Sequence, residues 1–266
     1  MTSTQPAPAD GSLKDERPEA PAHRSALRAG VPRLVSRLTA EFVGTAFLVA
    51  GVVGSGIMAE RLTDDRGLQL LQNAAATAGV LVALILALGS ASGAHFNPVV
   101  TLVDRAFGGI DTPTAVLYMI VQIAGAIVGA MVANVMFGLP LVEWSTTERS
   151  GGDLWFAEGI ATLGLLVVIF GVVRSGRAGL SAFAVAGYIA GAYYFTSSTS
   201  FANPAVTIGR AFSDTFAGIE PADVPMFVVA QLIGALVATG LILVLYPRIA
   251  DVADDVVVPH GEEPRA

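Results

Sequence analysis

The chain has 266 residues, of which 53% are hydrophobic and only 14% are charged, and its formal net charge is −7. This composition leaves too little polar surface to cover a soluble globule, so it excludes an ordinary soluble enzyme. The acidic balance argues against a nucleic-acid partner, because phosphate binding needs a basic face. The sequence has no cysteine, which excludes disulfides, thiolate nucleophiles and cysteine-based metal sites.

Charged residues are enriched at the two ends of the chain. Residues 1–37 are rich in proline, alanine and alternating charges, and they predict a disordered cytoplasmic N-terminal tail. Residues 248–266 predict a second cytoplasmic tail with an acidic bias. The intervening residues, 38–247, predict a single membrane domain.

Six apolar stretches in this domain have about the length that crosses a ~30 Å hydrocarbon core, roughly 20 helical residues each. Helices are expected because every backbone polar group must be satisfied inside lipid. The predicted spans are Leu38–Met58, Leu68–Gly89, Thr114–Gly138, Leu154–Val173, Gly179–Phe195 and Val224–Tyr246. The distribution of lysine and arginine between loops predicts that both termini are cytoplasmic, in the cell (inner) membrane.

The sequence of the domain repeats itself at residues 38–138 and 154–247. Four landmarks recur in the same order: a glutamate in the first span, an Asn-Pro pair after the second, an Arg-Ala-Phe triplet, and a glutamine in the third. Each copy holds three spans, an odd number, so the second copy must be inverted relative to the first.

Each Asn-Pro pair opens a segment, Asn97–Phe107 or Asn203–Phe212, that is too short to cross a membrane. Asparagine is a favoured helix N-cap, and proline fits the first helical position, so each segment predicts a re-entrant half-helix. Inversion brings the two helix N-termini together near the midplane. Their dipoles and amide donors would attract solute oxygens and repel cations.

These motifs carry a family resemblance. Ser92-Gly-Ala-His95-Phe-Asn97-Pro98-Val99-Val-Thr101, together with Asn203-Pro204-Ala205, resembles the aquaporin and glycerol-facilitator family, also called the major intrinsic protein family. The resemblance implies an all-α membrane protein with six transmembrane helices and two re-entrant half-helices in two inverted repeats. It also implies one pore per protomer, a homotetramer in the lipid bilayer, and passive movement of solutes.

The sequence departs from the family at the predicted selectivity filter. Most members have an arginine directly after the second motif, whereas this chain has Val206. Carried over by their offsets from the asparagines, the four filter positions are Thr77, Gly191, Ser200 and Val206. None of the four is charged or aromatic, so a wide filter is expected.

Two charged residues follow the motifs by one helical turn or more. Arg210 lies four residues beyond Val206 and thus on the same face of the half-helix. One hypothesis places its charge in the outer vestibule, where it would repel cations; the alternative is snorkelling to the interface or pairing with Asp214. Asp104, at the corresponding place in the first repeat, is expected to be solvated beside Arg105.

Three further polar residues have two interpretations each. Glu41 and Glu158 could form a proton relay, but their equivalent positions favour accepting loop N–H groups. His95 could gate the pore with pH or bind a metal, although the other two histidines, His23 and His260, lie in the tails. Bracing of the loop by His95 is therefore the favoured interpretation, and neither a metal site nor a cofactor is expected.

The predicted function is a passive transmembrane channel for water and small uncharged solutes such as glycerol, urea or metalloid hydroxides, for example arsenous acid. Two alternatives remain open at this point: a secondary active transporter that uses Glu41 and Glu158, and an ion-leaky channel. No acid/base pair or nucleophile in the sequence indicates an enzyme.

Overall fold

The computed structural model describes residues 1–2 and 34–247. Everything described from Leu34 onward lies in a single compact unit. The predicted C-terminal tail and most of the predicted N-terminal tail lie outside the described residues. Residues 34–37 belong to the first helix, so this helix begins four residues earlier than the predicted span.

Every regular element in the described part of the chain is helical, and no strand occurs there. A single 3₁₀ turn, Ala178–Leu180, precedes α6. The eight α-helices are α1 Leu34–Leu62, α2 Arg66–Ser92, α3 Pro98–Phe107, α4 Thr112–Met136, α5 Gly152–Arg174, α6 Ser181–Phe195, α7 Pro204–Arg210 and α8 Val224–Leu245.

Six of these helices are long and apolar enough to cross a membrane, α6 being counted with its preceding turn. They correspond to the six predicted spans, and the two remaining helices, α3 and α7, correspond to the predicted half-helices. Helix α7 ends at Arg210, two residues before the predicted end at Phe212. The all-α fold with six spans and two half-helices is thus confirmed.

Helix packing repeats between the two halves of the domain. Helix α1 packs mainly on α4 and α2, while α5 packs mainly on α8 and α6. Helix α3 contacts α4 and α8, and α7 contacts α8 and α4. Each contact in the first half therefore has a counterpart in the second half, as expected for the two repeats predicted from the sequence.

Glycines allow the long helices to approach closely at the α1–α4 contact. A Cβ atom added to Gly125 or Gly129 of α4 would collide with the α1 backbone, at the carbonyls of Phe42 and Ala46. The equivalent contact between α5 and α8 has Gly234 against the carbonyl of Gly159. Small residues therefore set the helix separation, as is usual in lipid, where packing replaces the hydrophobic effect.

Candidate functional site

The loops that precede the half-helices are joined to each other by their asparagines. Asn97 Nδ2 donates to the carbonyl of Ala202 at 2.8 Å, and Asn203 Nδ2 donates to the carbonyl of Phe96 at 2.8 Å. Each amide therefore bonds the residue just before the other asparagine. The two loops form one unit in the centre of the domain.

The same asparagines cap the half-helices. Asn97 Oδ1 accepts from Val99 N at 3.0 Å, with Pro98 as the first residue of α3. Asn203 Oδ1 accepts from the backbone N–H groups of Ala205 and Val206, with Pro204 as the first residue of α7. Because the side chains satisfy backbone donors that have no partner within the helix, both helices can begin inside a buried region.

The backbone before each asparagine is strained in the same way. Ala94 and Phe96 have φ of 51° and 47°, and their counterparts Ser200 and Ala202 have φ of 53° and 47°. Such left-handed conformations cost non-glycine residues about 1–3 kcal/mol each and persist only where the surroundings hold them. Strain at equivalent positions of both loops indicates a functional region.

Glu41 holds the first loop in place from α1. Its side chain is fully buried, and its Oε1 accepts from His95 N at 3.0 Å and from the Ser92 hydroxyl at 2.6 Å. Its Oε2 accepts from Phe96 N at 2.8 Å and from Gln122 Nε2 at 2.7 Å. The carboxylate thus satisfies two loop N–H groups that would otherwise be stranded inside the membrane.

Glu158 holds the second loop from α5 in the same manner. Its two oxygens accept from Phe201 N at 2.8 Å and Ala202 N at 2.9 Å, and Gln231 Nε2 donates to Oε2 at 2.7 Å. Neither glutamate is among the residues that line the central cavity. Their bonds are those of loop supports, and nothing in this geometry places either carboxylate in a solute pathway.

A narrow cavity of about 60 Å³ passes both asparagines. Polar groups and apolar side chains share its lining. Apart from Asn97 and Asn203, the residues that matter for its chemistry are Thr77, His95, Val100, Tyr193, Ser200, Phe201, Val206 and Arg210.

Three of the four predicted filter residues line this cavity: Thr77, Ser200 and Val206. Gly191 does not, because it is exposed on the outer side of α6, and a Cβ added there would meet nothing within 4 Å. Tyr193 instead contributes from α6, with its hydroxyl 3.1 Å from Thr77 Oγ1. The assignment of Gly191 is wrong by two residues, and a helix turns about 200° over that distance.

The filter region therefore contains aromatic rings, which were not predicted when the filter positions were assigned by their distance in sequence from the two asparagines. Tyr193 and Phe201 both line the cavity and are nearly fully buried. The expectation of a filter without large rings is wrong. A motif-centred argument could have found Phe201 because it precedes Asn203 by two residues, as His95 precedes Asn97.

Arg210 lines the same cavity and is 3% exposed. Its Nε donates to the carbonyl of Ala217, and its Cζ lies 3.4 Å from the centroid of the Phe201 ring. Asp214, the predicted alternative partner, accepts instead from Thr146 N at 2.8 Å. The guanidinium is thus buried in the pore wall rather than snorkelling.

His95 and Asp104 also lie together. Asp104 is 3% exposed, so the expectation of a solvated residue is wrong, and its Oδ2 is 3.5 Å from His95 Nε2. His95 lines the cavity, and its Nδ1 lies 3.0 Å from Thr101 Oγ1. Within residues 34–247, no three or more histidine, aspartate or glutamate side chains are grouped closely enough to hold a metal ion.

Comparison with known proteins identifies the family. The model of the family described as major intrinsic protein matches residues 30–196 and 155–262. The chain belongs to the major intrinsic protein family. Its half-helices, capped by Asn97 and Asn203 and joined through the loops, are the features that the sequence resemblance predicted.

Individual relatives extend over most of the domain. The chain is 48% identical over 208 residues to "Aquaglyceroporin AqpS" from Rhizobium meliloti (strain 1021), covering 78% of this chain and 89% of that protein. It is 29% identical over 221 residues to "Aquaporin Z" from Brucella melitensis, covering 77% and 95%. The X-ray structure of the aquaglyceroporin from Plasmodium falciparum has the same fold, with a TM-score of 0.63, 21% identity, and coverage of 81% and 98%.

The functional class follows from the family. Members of the major intrinsic protein family are channels, so this chain is a passive, multi-pass membrane channel for water and small solutes and not an enzyme. Glu41 and Glu158 accept hydrogen bonds from loop N–H groups, which agrees with a channel without ion coupling. The transporter and ion-leak alternatives receive no support.

Proposed function

We propose that this channel conducts small uncharged solutes larger than water, such as glycerol, urea and metalloid hydroxides including arsenous acid, in addition to water. The observation that carries the proposal is Val206, an apolar residue in the cavity wall directly after the second Asn-Pro-Ala motif. An arginine at this position would narrow the filter and add a positive charge. The side chain of Val206 is shorter than that of arginine and is uncharged.

The lining chemistry supports solutes that have both hydroxyl and hydrocarbon surfaces. Thr77, Tyr193 and Ser200 contribute hydroxyl groups, and the first two are within hydrogen-bond distance of each other. Val206 and Phe201 contribute apolar surface beside them. A molecule such as glycerol can exchange hydrogen bonds along the hydroxyls while its carbon backbone lies against the apolar residues.

Further donors lie at the centre of the pathway. An asparagine amide nitrogen carries two hydrogens, and the bonds to Ala202 and Phe96 use one hydrogen of each amide. The second hydrogen of Asn97 and of Asn203 can therefore reach a solute oxygen. The positive ends of α3 and α7 and the Arg210 guanidinium would oppose the entry of cations.

The assembly and its location are part of the same proposal. We expect a homotetramer with one pore per protomer in the cell (inner) membrane, with both termini cytoplasmic. Many large apolar side chains on the outer helix faces are exposed in the single chain, including Phe47, Ile120 and Leu236. Lipid and neighbouring protomers would cover these faces.

The proposal is tested by returning an arginine to the filter. Liposomes that contain the purified protein are mixed with a hyperosmotic glycerol solution, and their reswelling is followed by light scattering. Water flux is measured in the same way with sucrose. In Val206→Arg, glycerol permeability should fall roughly tenfold or more while water permeability falls less, because a long cation narrows the passage.

Val206→Met is the matched control, since it adds length without charge. If Val206→Arg and Val206→Met leave the ratio of glycerol to water permeability as in the unchanged protein, Val206 does not set the selectivity. A protein that transports water but no glycerol would overturn the proposed solute class.

A further inference from the structure

The Phe201 ring is contacted by two guanidinium groups that come from different parts of the chain. Arg210 Cζ, from α7, lies 3.4 Å from the ring centroid, and Arg149 Cζ, from the loop between α4 and α5, lies 5.0 Å from it. Phe201 and Arg210 line the central cavity, whereas Arg149 does not. Arg149 can therefore affect a permeating solute only through the residues that it contacts.

Both guanidinium groups bind the same three-residue segment of the loop between α7 and α8. Arg210 Nε donates to the carbonyl of Ala217. Arg149 Nε donates to the carbonyl of Gly218 at 2.7 Å, and its Nη2 donates to the carbonyl of Phe216 at 3.4 Å. Arg149 thus holds the peptide planes on both sides of the one that carries the Ala217 carbonyl. Because each peptide unit is planar, these bonds restrict the direction of the Ala217 carbonyl.

The segment that contains Arg149 is itself bonded to the loop between α7 and α8. The backbone N–H of Arg149 donates to Asp223 Oδ2 at 2.6 Å, and the backbone N–H of Glu220 donates to the carbonyl of Thr147 at 2.8 Å. These bonds fix the backbone position from which the Arg149 side chain reaches residues 216–218. The two loops and the two guanidinium groups therefore form one connected unit beside the cavity.

Most of the donor capacity of Arg210 is not used within the protein. A guanidinium carries five N–H groups, and Nε uses one of them at the Ala217 carbonyl. Within residues 34–247, Nη1 and Nη2 have no hydrogen-bond partner, and neither nitrogen is fully buried. Because Arg210 lines the cavity, these two groups border the space through which a solute passes.

We propose that Arg149 is a positioning residue, which holds the Arg210 guanidinium in the pore wall through the Phe201 ring and the carbonyls of residues 216–218. Held in this way, the Nη groups of Arg210 donate to the oxygens of a solute that passes Val206. An arginine side chain has many rotamers, so without these contacts the guanidinium has no single position. The role in solute passage rests on the proposed function, whereas the positioning of Arg210 does not.

Hydrogen exchange of the Arg210 side chain tests the positioning directly. With ¹⁵N-labelled arginine, the Nε–H of Arg210 should exchange slowly, because it is buried and bonded to a carbonyl, and its resonance is the one that Arg210→Lys removes. In Arg149→Met the same proton should exchange roughly tenfold faster or more. Arg149→Lys, which keeps a cation and one donor, should give an intermediate rate, and it decides the question if Arg149→Met does not fold.

Arg61→Met is the matched control. Arg61, in the last turn of α1, also contacts one carbonyl and one ring: its Nη2 donates to the Phe137 carbonyl at 2.6 Å, and its Cζ lies 5.0 Å from the Phe137 ring centroid. Phe137 does not line the central cavity, so Arg61→Met should leave the exchange of Arg210 unchanged. Native exchange in both Arg149 variants, or equal acceleration in Arg61→Met and Arg149→Met, would overturn the proposal.

Glycerol reswelling, with water flux measured in sucrose, tests the consequence for transport. Arg210→Met should lower the ratio of glycerol to water permeability roughly threefold or more, because donors to the solute are lost. Arg149→Met should lower the same ratio. The double variant Arg149→Met/Arg210→Met should be no lower than Arg210→Met alone, because Arg149 acts through Arg210. Arg61→Met should keep the ratio within about twofold of the native value.

An unchanged ratio in Arg149→Met, or additive effects of the two substitutions, would contradict the transport consequence. If neither the native channel nor any variant conducts glycerol, the proposed function fails. The exchange of the Arg210 Nε–H then still decides whether Arg149 positions Arg210.

Discussion

At the residue scale, the described cavity wall has a positive charge at Arg210 and an apolar side chain at Val206. Val206 follows Asn203-Pro204-Ala205 directly, where the family resemblance predicts an arginine, and Arg210 follows Val206 by four residues, about 6 Å along a helix axis. Burial of a guanidinium is costly unless its donors are satisfied and its face is covered. The Ala217 carbonyl accepts from Nε, one of the five guanidinium donors, and the Phe201 ring lies against the guanidinium.

A second cation stands near the same ring. Arg149 lies in the loop before α5, with its Cζ 5.0 Å from the Phe201 centroid and its Nε donating to the carbonyl of Gly218 at 2.7 Å. Burial lowers the pKa of Arg149 to about 10, so it stays charged at neutral pH. The Phe201 ring thus contacts two cations, of which Arg210 lines the cavity and Arg149 does not.

Removal of the Arg210 charge should raise cation leakage. In Arg210→Met, we expect the Na⁺ or proton conductance of reconstituted vesicles to rise roughly threefold or more, because a fixed positive charge in the pore wall is lost. The loss of a partner for the Ala217 carbonyl should also destabilise the fold by about 1–3 kcal/mol. Fluorescent ion-flux assays and thermal unfolding measure the two effects separately.

Arg210→Lys keeps the charge and should keep the leak low, while Arg177→Met, at an exposed site before α6, should change neither property. Equal leakage in Arg210→Met and the native channel would show that the half-helices alone exclude cations.

At the element scale, long apolar runs and the Asn-Pro starts were sufficient to predict all eight helices. Length and composition identify spans because lipid demands about 20 apolar residues in a helix. The pore-facing side of each helix is a finer property. Gly191 and Tyr193 differ by two positions, yet one is exposed and the other lines the cavity, because the period of a helix makes small offsets decisive.

Contacts between helices, like the pore-facing side of each helix, could not be predicted from the single sequence. Asp104 looked like a solvated residue beside Arg105, but the packing of α3 buries it behind His95. The pairing of Arg210 with Phe201 depends on how α7 lies relative to the loop that precedes it. Local motifs predict that such residues are near the pore but not which partners they meet.

The α1–α4 contact predicts that alanine substitution at two glycines has different effects on protein stability. Gly129→Ala should destabilise the protein by about 1–3 kcal/mol, because the new methyl group meets the Ala46 backbone and the helices must separate. Gly191→Ala is the matched control, since its Cβ has open space and alanine favours a helix by about 0.5–1 kcal/mol. Thermal unfolding in detergent compares them, and equal stability of the two variants would contradict the packing account.

At the scale of the whole molecule, the repeats provide a symmetric scaffold for an asymmetric pathway. Glu41 and Glu158, Gln122 and Gln231, and the two capping asparagines make equivalent bonds in both halves. The side chains that face solutes are not equivalent: His95 lines one half and Phe201 the other. The symmetric bonds hold the loops, and we expect the residues that differ between the halves to influence which molecules pass.

We expect this pathway to pass neutral solutes larger than water by passive flow. The most direct measurement is light scattering of proteoliposomes with the native sequence in parallel osmotic gradients of sucrose, glycerol and urea, without ion gradients. Vesicles should shrink and stay shrunken in sucrose, but shrink and then reswell in glycerol and urea faster than protein-free vesicles. Sucrose-like behaviour with every solute would contradict the claim and leave a channel for water alone.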